Sequence, residues 1–178
     1  VALVAIVAVP VFIFRPPPAQ PGLTGKPFSL VSTDGGTFTQ DSLKGEPTLV
    51  FFGYTFCPDV CPTTLAELTG YREQLKLNPQ QLRILFATVD PERDTQSVLK
   101  DYLSGFGSPI VGLTGTVAQV EQAKTAFGIY FKKVNDDGKG NYLVDHTATV
   151  FLLDKNGAFQ GTIDYGENAS TALAKLKR

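Results

Sequence analysis

The stretch TLVFFGYTFCPDVCPTTLAEL, residues 48–68, decides the fold. Thr48 to Tyr54 form a continuous apolar run of strand length, rich in β-forming residues, as expected of a strand buried on both faces. From Pro62 to Leu77 the apolar residues Leu65, Leu68, Leu75 and Leu77 recur with charged residues between them, which predicts a helix. Cys57 and Cys61 lie in the loop that joins the two. A loop at the carboxyl end of a buried strand is open to ligands, and a helix N-terminus presents unpaired amides and a partial positive charge that favour a thiolate. Pro62 suits the first helical turn, and Thr64 with Glu67 fits a capping box, with Asp59 as the alternative cap.

Outward from this unit, the pattern stays that of a compact α/β domain. Phe28 to Ser32 and Thr37 to Thr39 flank Asp34, Gly35 and Gly36, which reads as a β-hairpin with a tight glycine turn. Leu82 to Val89 is a second buried-type strand, Thr95 to Phe106 a helix, Ile110 to Leu113 a short strand and Val117 to Phe127 another helix. Ile129 to Val134 reads as extended chain and Asp136 to Gly140 as a polar turn. Thr149 to Leu153 and Ala158 to Ile163 flank residues 154–157 as a further hairpin, and a last helix begins near Asn168. This order predicts an α/β, thioredoxin-like fold with an added N-terminal β-hairpin and a late β-hairpin insertion. In VDPERDT, Val89 to Thr95, either Asp94 or Thr95 can cap the following helix, and the charges otherwise read as a solvated turn.

Residues 1–14, VALVAIVAVPVFIF, carry no charge and then meet Arg15 and three prolines. The run is shorter than the roughly 20 residues a spanning helix needs, and it contains Pro10. Its bulky end, Val11 to Phe14, lacks the small residues of a signal-cleavage site, so it reads as a truncated transmembrane anchor. The absence of an initiator methionine fits a longer precursor. Residues 15–25 then form a proline-rich linker and 26–178 the folded domain.

Sixteen Lys and Arg against 17 Asp and Glu leave a net charge of −1, which offers no basic surface for nucleic acid. The informative counts are the scarce ones: two cysteines, one histidine, no methionine and no tryptophan. A closed four-ligand zinc site cannot be built from these without a carboxylate or water. His146, in NYLVDHTATVFLLD, precedes a strongly apolar strand, and in a thioredoxin-like sheet the loop entering that strand packs beside the cysteine loop. Two thiolates and one imidazole form a soft, three-coordinate site that suits Cu(I), with Zn²⁺ bearing an open position as the alternative. Asp59 and Asp145 are candidates to orient the imidazole or to add an oxygen ligand to Cu(II). The two cysteines can equally close a disulfide across three residues, although so short a loop gives a structural staple little effect.

GYTFCPDVCPTTL from Gly53, VDPERDT from Val89, GLTGT from Gly112 and VDHTATVFLLD from Val144 together resemble the Sco (SenC) family of copper chaperones. The resemblance implies a thioredoxin-like fold, an N-terminal membrane anchor, and copper held by Cys57, Cys61 and His146. It also implies a role in assembling the binuclear copper centre of cytochrome c oxidase. The expected partners are the copper-bearing oxidase subunit, a copper-donor protein, a thiol reductant and the membrane. The implied home is the bacterial periplasm, favoured over the mitochondrial intermembrane space by the short linker and compact loops. The competing function is a thiol-disulfide oxidoreductase using Cys57 and Cys61, for which His146 would be nearly dispensable. A peroxidase with Cys57 as the peroxidatic thiol ranks below both.

Overall fold

The computed structural model describes residues 23–177. Nine strands and four helices follow in chain order: β1 Ser29–Ser32, β2 Thr37–Thr39, β3 Thr48–Gly53, α1 Val60–Gln74, β4 Arg83–Thr88, α2 Gln96–Ser104, β5 Val111–Thr114, α3 Val117–Phe127, β6 Phe131–Val134, β7 Leu143–His146, β8 Thr149–Leu153, β9 Phe159–Asp164 and α4 Ala169–Leu176. The main sheet runs β2-β1-β5-β4-β3-β8-β9, while β6 and β7 pair only with each other.

The apolar run at residues 48–54 becomes β3, and every residue of that strand is buried. It pairs in parallel with β4, and β4 with β5, so α1 and α2 are the crossovers that parallel pairing requires. On its other side β3 meets β8 antiparallel, with Phe51 opposite Val150. That register decides where chemistry can happen: β8 starts at the sheet edge where β3 ends, so the chain entering β8 arrives beside the chain leaving β3. The fold is thioredoxin-like, as the order of elements predicts, with the expected N-terminal hairpin added beside β5. In that hairpin Gly35 and Gly36 take φ of +95° and +76°, which explains two successive glycines in the turn.

Several details depart from the sequence reading. Helix α1 begins at Val60, so Cys61 lies inside its first turn. The Thr64–Glu67 capping box does not form, because Thr64 sits in the second turn, buried, with its hydroxyl unpaired. Asp59 occupies the cap position without a side-chain cap bond. Residues 143–146 form a strand that pairs with β6, so the extended chain from Ile129 and the turn after it are part of a hairpin. VDPERDT is no solvated turn: Asp90 and Asp94 are 1% and 0% exposed, and it is Thr95 that caps α2 by accepting the Val98 N–H. No helix among the described residues is long and apolar enough to cross a membrane, and the stretch expected to be an anchor, with most of the expected linker, lies outside the described residues.

Candidate metal centre

Cys57 sits half-buried in the loop after β3, and Cys61 is fully buried at the start of α1. Both are free thiols. Room for the Cys61 sulfur comes from Gly53 at the end of β3. A Cβ there would lie 2.7 Å from Cys61 Sγ and 2.7 Å from Phe86 Cε2. The Cys57 sulfur takes over the task that Asp59 leaves undone. It accepts the Cys61 backbone N–H at 3.4 Å, one of the amides a helix start leaves unpaired.

His146, at the end of β7, completes the site. Its Nε2 lies 3.5 Å from Cys61 Sγ, and its Nδ1 lies 3.0 Å from the Thr147 carbonyl. A carbonyl only accepts, so that bond places the ring proton on Nδ1 and leaves the Nε2 lone pair facing the sulfurs. The ring is held edge-on by Phe51 and Tyr54, with centroids 6.1 and 5.8 Å away. One ligand atom from each of Cys57, Cys61 and His146 falls within 4.8 Å of the other two. A trigonal ion with bonds near 2.2 Å needs ligand atoms roughly 3.8 Å apart, so a small contraction suffices.

The two thiols differ in proton affinity. Cys57 is lowered from 9.0 to about 4, chiefly by the hydrogen bond from the Cys61 side chain, helped by the His146 imidazole and then by the backbone amides of Cys61 and Asp59, and opposed by burial. Cys61 is raised, first because the Cys57 sulfur beside it accepts its proton and second by burial. The apo site therefore stores one thiolate and one thiol at neutral pH. A soft cation that takes both sulfurs displaces the remaining proton, so binding is coupled to proton release.

The three ligands predicted from sequence thus converge, whereas the two aspartates do not join them. Asp59 and Asp145 are exposed, and neither bonds the imidazole, whose partner is the Thr147 carbonyl. The aspartate that does shape the site is Asp94. Its buried carboxylate accepts from Thr55 N at 3.1 Å, Thr55 Oγ1 at 2.5 Å and Thr88 Oγ1 at 2.6 Å, fixing the cysteine loop two residues before Cys57. Burial raises its pKa against the pull of those hydrogen bonds. The sequence signal for it was present in VDPERDT, but capping accounted equally well for an aspartate there.

Comparison with known proteins places this geometry in a family. A SCO2-like protein of Rickettsia prowazekii is 40% identical over 136 residues, covering 76% of this chain and 66% of that protein. The human mitochondrial SCO1 homologue is 36% identical over 149 residues, 82% of this chain and 48% of that protein. The chain therefore spans about two thirds of the length of the rickettsial relative and about half that of the human one. Among solved structures, Bradyrhizobium japonicum ScoI with copper bound is 41% identical, with a TM-score of 0.78 over 88% of this chain and 99% of that one. Yeast Sco1 with copper bound is 36% identical, with a TM-score of 0.79 over 88% and 87%. Residues 16–178 match SCO1/SenC, and the chain belongs to that family.

Proposed function

We propose that this protein binds copper through Cys57, Cys61 and His146 and delivers it to the binuclear copper centre of cytochrome c oxidase. The observation that carries the reading is the convergence of three soft ligand atoms from segments 85 residues apart. Two thiolates and a neutral imidazole match Cu(I) and also accept Cu(II). Three ligands at a half-buried site leave one side open, so an incoming sulfur from a recipient can replace Cys57 and then the rest by ligand exchange. The copper-bound relatives support this assignment. The apolar run at residues 1–14 supports a membrane anchor, and a site of reduced thiols exchanging copper with an oxidase subunit fits a domain facing the periplasm.

Cu(I) competition titration of the reduced protein tests the ligand set. Cys57→Ser and Cys61→Ser each remove a thiolate and should weaken binding by several orders of magnitude, and His146→Ala should weaken it by at least tenfold. Wild-type affinity in all three variants would end the proposal.

The second reading, a dithiol reductase, rests on the close pair of free sulfurs. Cys57 would attack a target disulfide to form a mixed disulfide and release one target thiolate. Cys61, giving up its proton, would then attack Cys57 Sγ, form the Cys57–Cys61 disulfide and release the second, so that the target gains the two electrons the protein loses. The thiol chemistry argues against it as the main task. A thiolate with a pKa of about 4 is a weak nucleophile, and Cys61 holds its proton tightly. Reductase activity that survived in His146→Ala at the wild-type rate, and exceeded that of free thiols, would favour this reading.

A further inference from the structure

The hairpin that carries His146 is not part of the main sheet, so its place relative to the cysteines depends on what grips it from the side. That grip is polar and buried. Tyr142, just before β7 and 8% exposed, donates its hydroxyl to Asp90 Oδ1 at 2.6 Å. Arg93 Nε bonds Asp90 Oδ2 at 2.5 Å, and its Nη1 donates to the Tyr142 carbonyl at 3.1 Å. The Arg93 guanidinium also lies 3.6 Å over the Tyr142 ring. Farther along β7, Val144 N donates to Tyr54 Oη at 3.2 Å, and at the rim Lys133 of β6 pairs with Glu92.

The same short segment reaches the other half of the site. Asp94 holds Thr55 of the cysteine loop, while Asp90, four residues before it, and Arg93, its neighbour in the chain, hold Tyr142 of the histidine hairpin. Residues 90–94 are therefore one rigid bracket between the sulfurs and the imidazole. An apolar contact could bury the hairpin equally well. A network of directional bonds instead selects one placement. Arg93 Nη2 stays buried without a partner, a cost that mere packing would avoid.

We propose that Asp90, Arg93 and Tyr142 are positioning residues for His146, a polar clamp that sets the distance between the imidazole and the two sulfurs. The proposal rests on the reading of Cys57, Cys61 and His146 as copper ligands. Tyr142→Phe keeps the ring and its stacking on Arg93 but deletes the bond to Asp90. Arg93→Lys keeps the charge beside Asp90 but loses the planar stack and the geometry of the bond to the Tyr142 carbonyl. Each should lower Cu(I) affinity about tenfold, the effect typical of groups that orient a metal-bound histidine.

The decisive measurement is a double-mutant cycle with His146→Ala. If the clamp acts through the imidazole, Tyr142→Phe combined with His146→Ala binds Cu(I) as His146→Ala does alone. The Cu(II)-loaded Tyr142→Phe protein should lose nitrogen coupling in its electron paramagnetic resonance spectrum while keeping the sulfur-to-copper absorption band. Wild-type affinity with full nitrogen coupling in both clamp variants overturns the proposal, as does a tenfold loss that persists when His146 is already alanine. If His146→Ala itself binds copper like wild type, the ligand assignment fails, and the clamp fails with it. Should Tyr142→Phe not fold, Arg93→Lys passes through the same cycle.

Discussion

At Cys57, one sulfur accepts two hydrogen bonds, from an orphan amide of α1 and from the thiol of its neighbour, and both favour its charged form. Its lowered pKa predicts that iodoacetamide labels the reduced apo protein once, at Cys57, with a rate that is flat from neutral pH to about 5 and halves near pH 4. Labelling of Cys61 at a comparable rate would contradict the asymmetry. The same shift enters stability. Because the folded protein releases this proton near 4 and the unfolded chain near 9.0, the unfolded state binds more protons between those values, and stability rises with pH across the window. The contribution is complete above 9 and lost as pH falls through about 4. Cys61 has the opposite sign: its contribution is complete below 9 and fades as pH climbs toward its raised value. Urea unfolding of wild type and Cys57→Ser between pH 5 and 8 should show a steeper rise for wild type, since only it carries the thiolate.

Among the elements, the β3–α1 junction was the most legible and was still misread by two residues. Leu65 and Leu68 mark the buried face of α1, but so do Thr64, Thr69 and Arg72, residues of types mostly found exposed. Arg72 is 1% exposed and donates to the Leu82 carbonyl at 3.2 Å, Ser108 Oγ at 2.5 Å and the Pro109 carbonyl at 2.6 Å. Such partners exist only once the chain has folded, so residue polarity alone does not mark this part of the buried face. In β7, Val144 is buried while Leu143 and Asp145 on either side are exposed. That alternation is a strand signal, hidden because the run leads into the stronger β8. The junction also carries a test. Gly53→Ala puts a methyl 2.7 Å from the Cys61 sulfur and the Phe86 ring, both locked in the core, and overpacking of this kind costs about 1–3 kcal/mol. Chemical denaturation should show that loss, accompanied by weaker Cu(I) binding because the sulfur must move.

For the whole molecule, the metal would act as a cross-link between segments 85 residues apart. A ligand that binds only the folded state stabilises it in proportion to the logarithm of its concentration over Kd, about 4 kcal/mol at a thousandfold excess. Cu(I) loading should therefore raise the melting temperature by at least several degrees in wild type, by less in His146→Ala, and not at all in a variant lacking both cysteines. An equal rise in all three would mean copper binds elsewhere.

The sequence by itself determined the buried strands, the helices between them, the dithiol loop at a strand's end and, through its single histidine before an apolar strand and its likeness to a family, the candidate third ligand. Those are local matters, since periodicity, strand length and glycine turns report burial and backbone conformation within a few residues. The tertiary structure alone decided that His146 reaches Cys61, that Asp94 supports the loop where Asp59 and Asp145 do not, and that Asp90 and Arg93 grip the hairpin. The first and third depend on β8 running antiparallel beside β3, which brings the separate β6–β7 pair to the site. The second depends on β3 and β4 pairing in parallel, which sets Thr55 and Thr88 beside Asp94. Distances between remote residues follow from strand order and register, which no short stretch of chain encodes on its own.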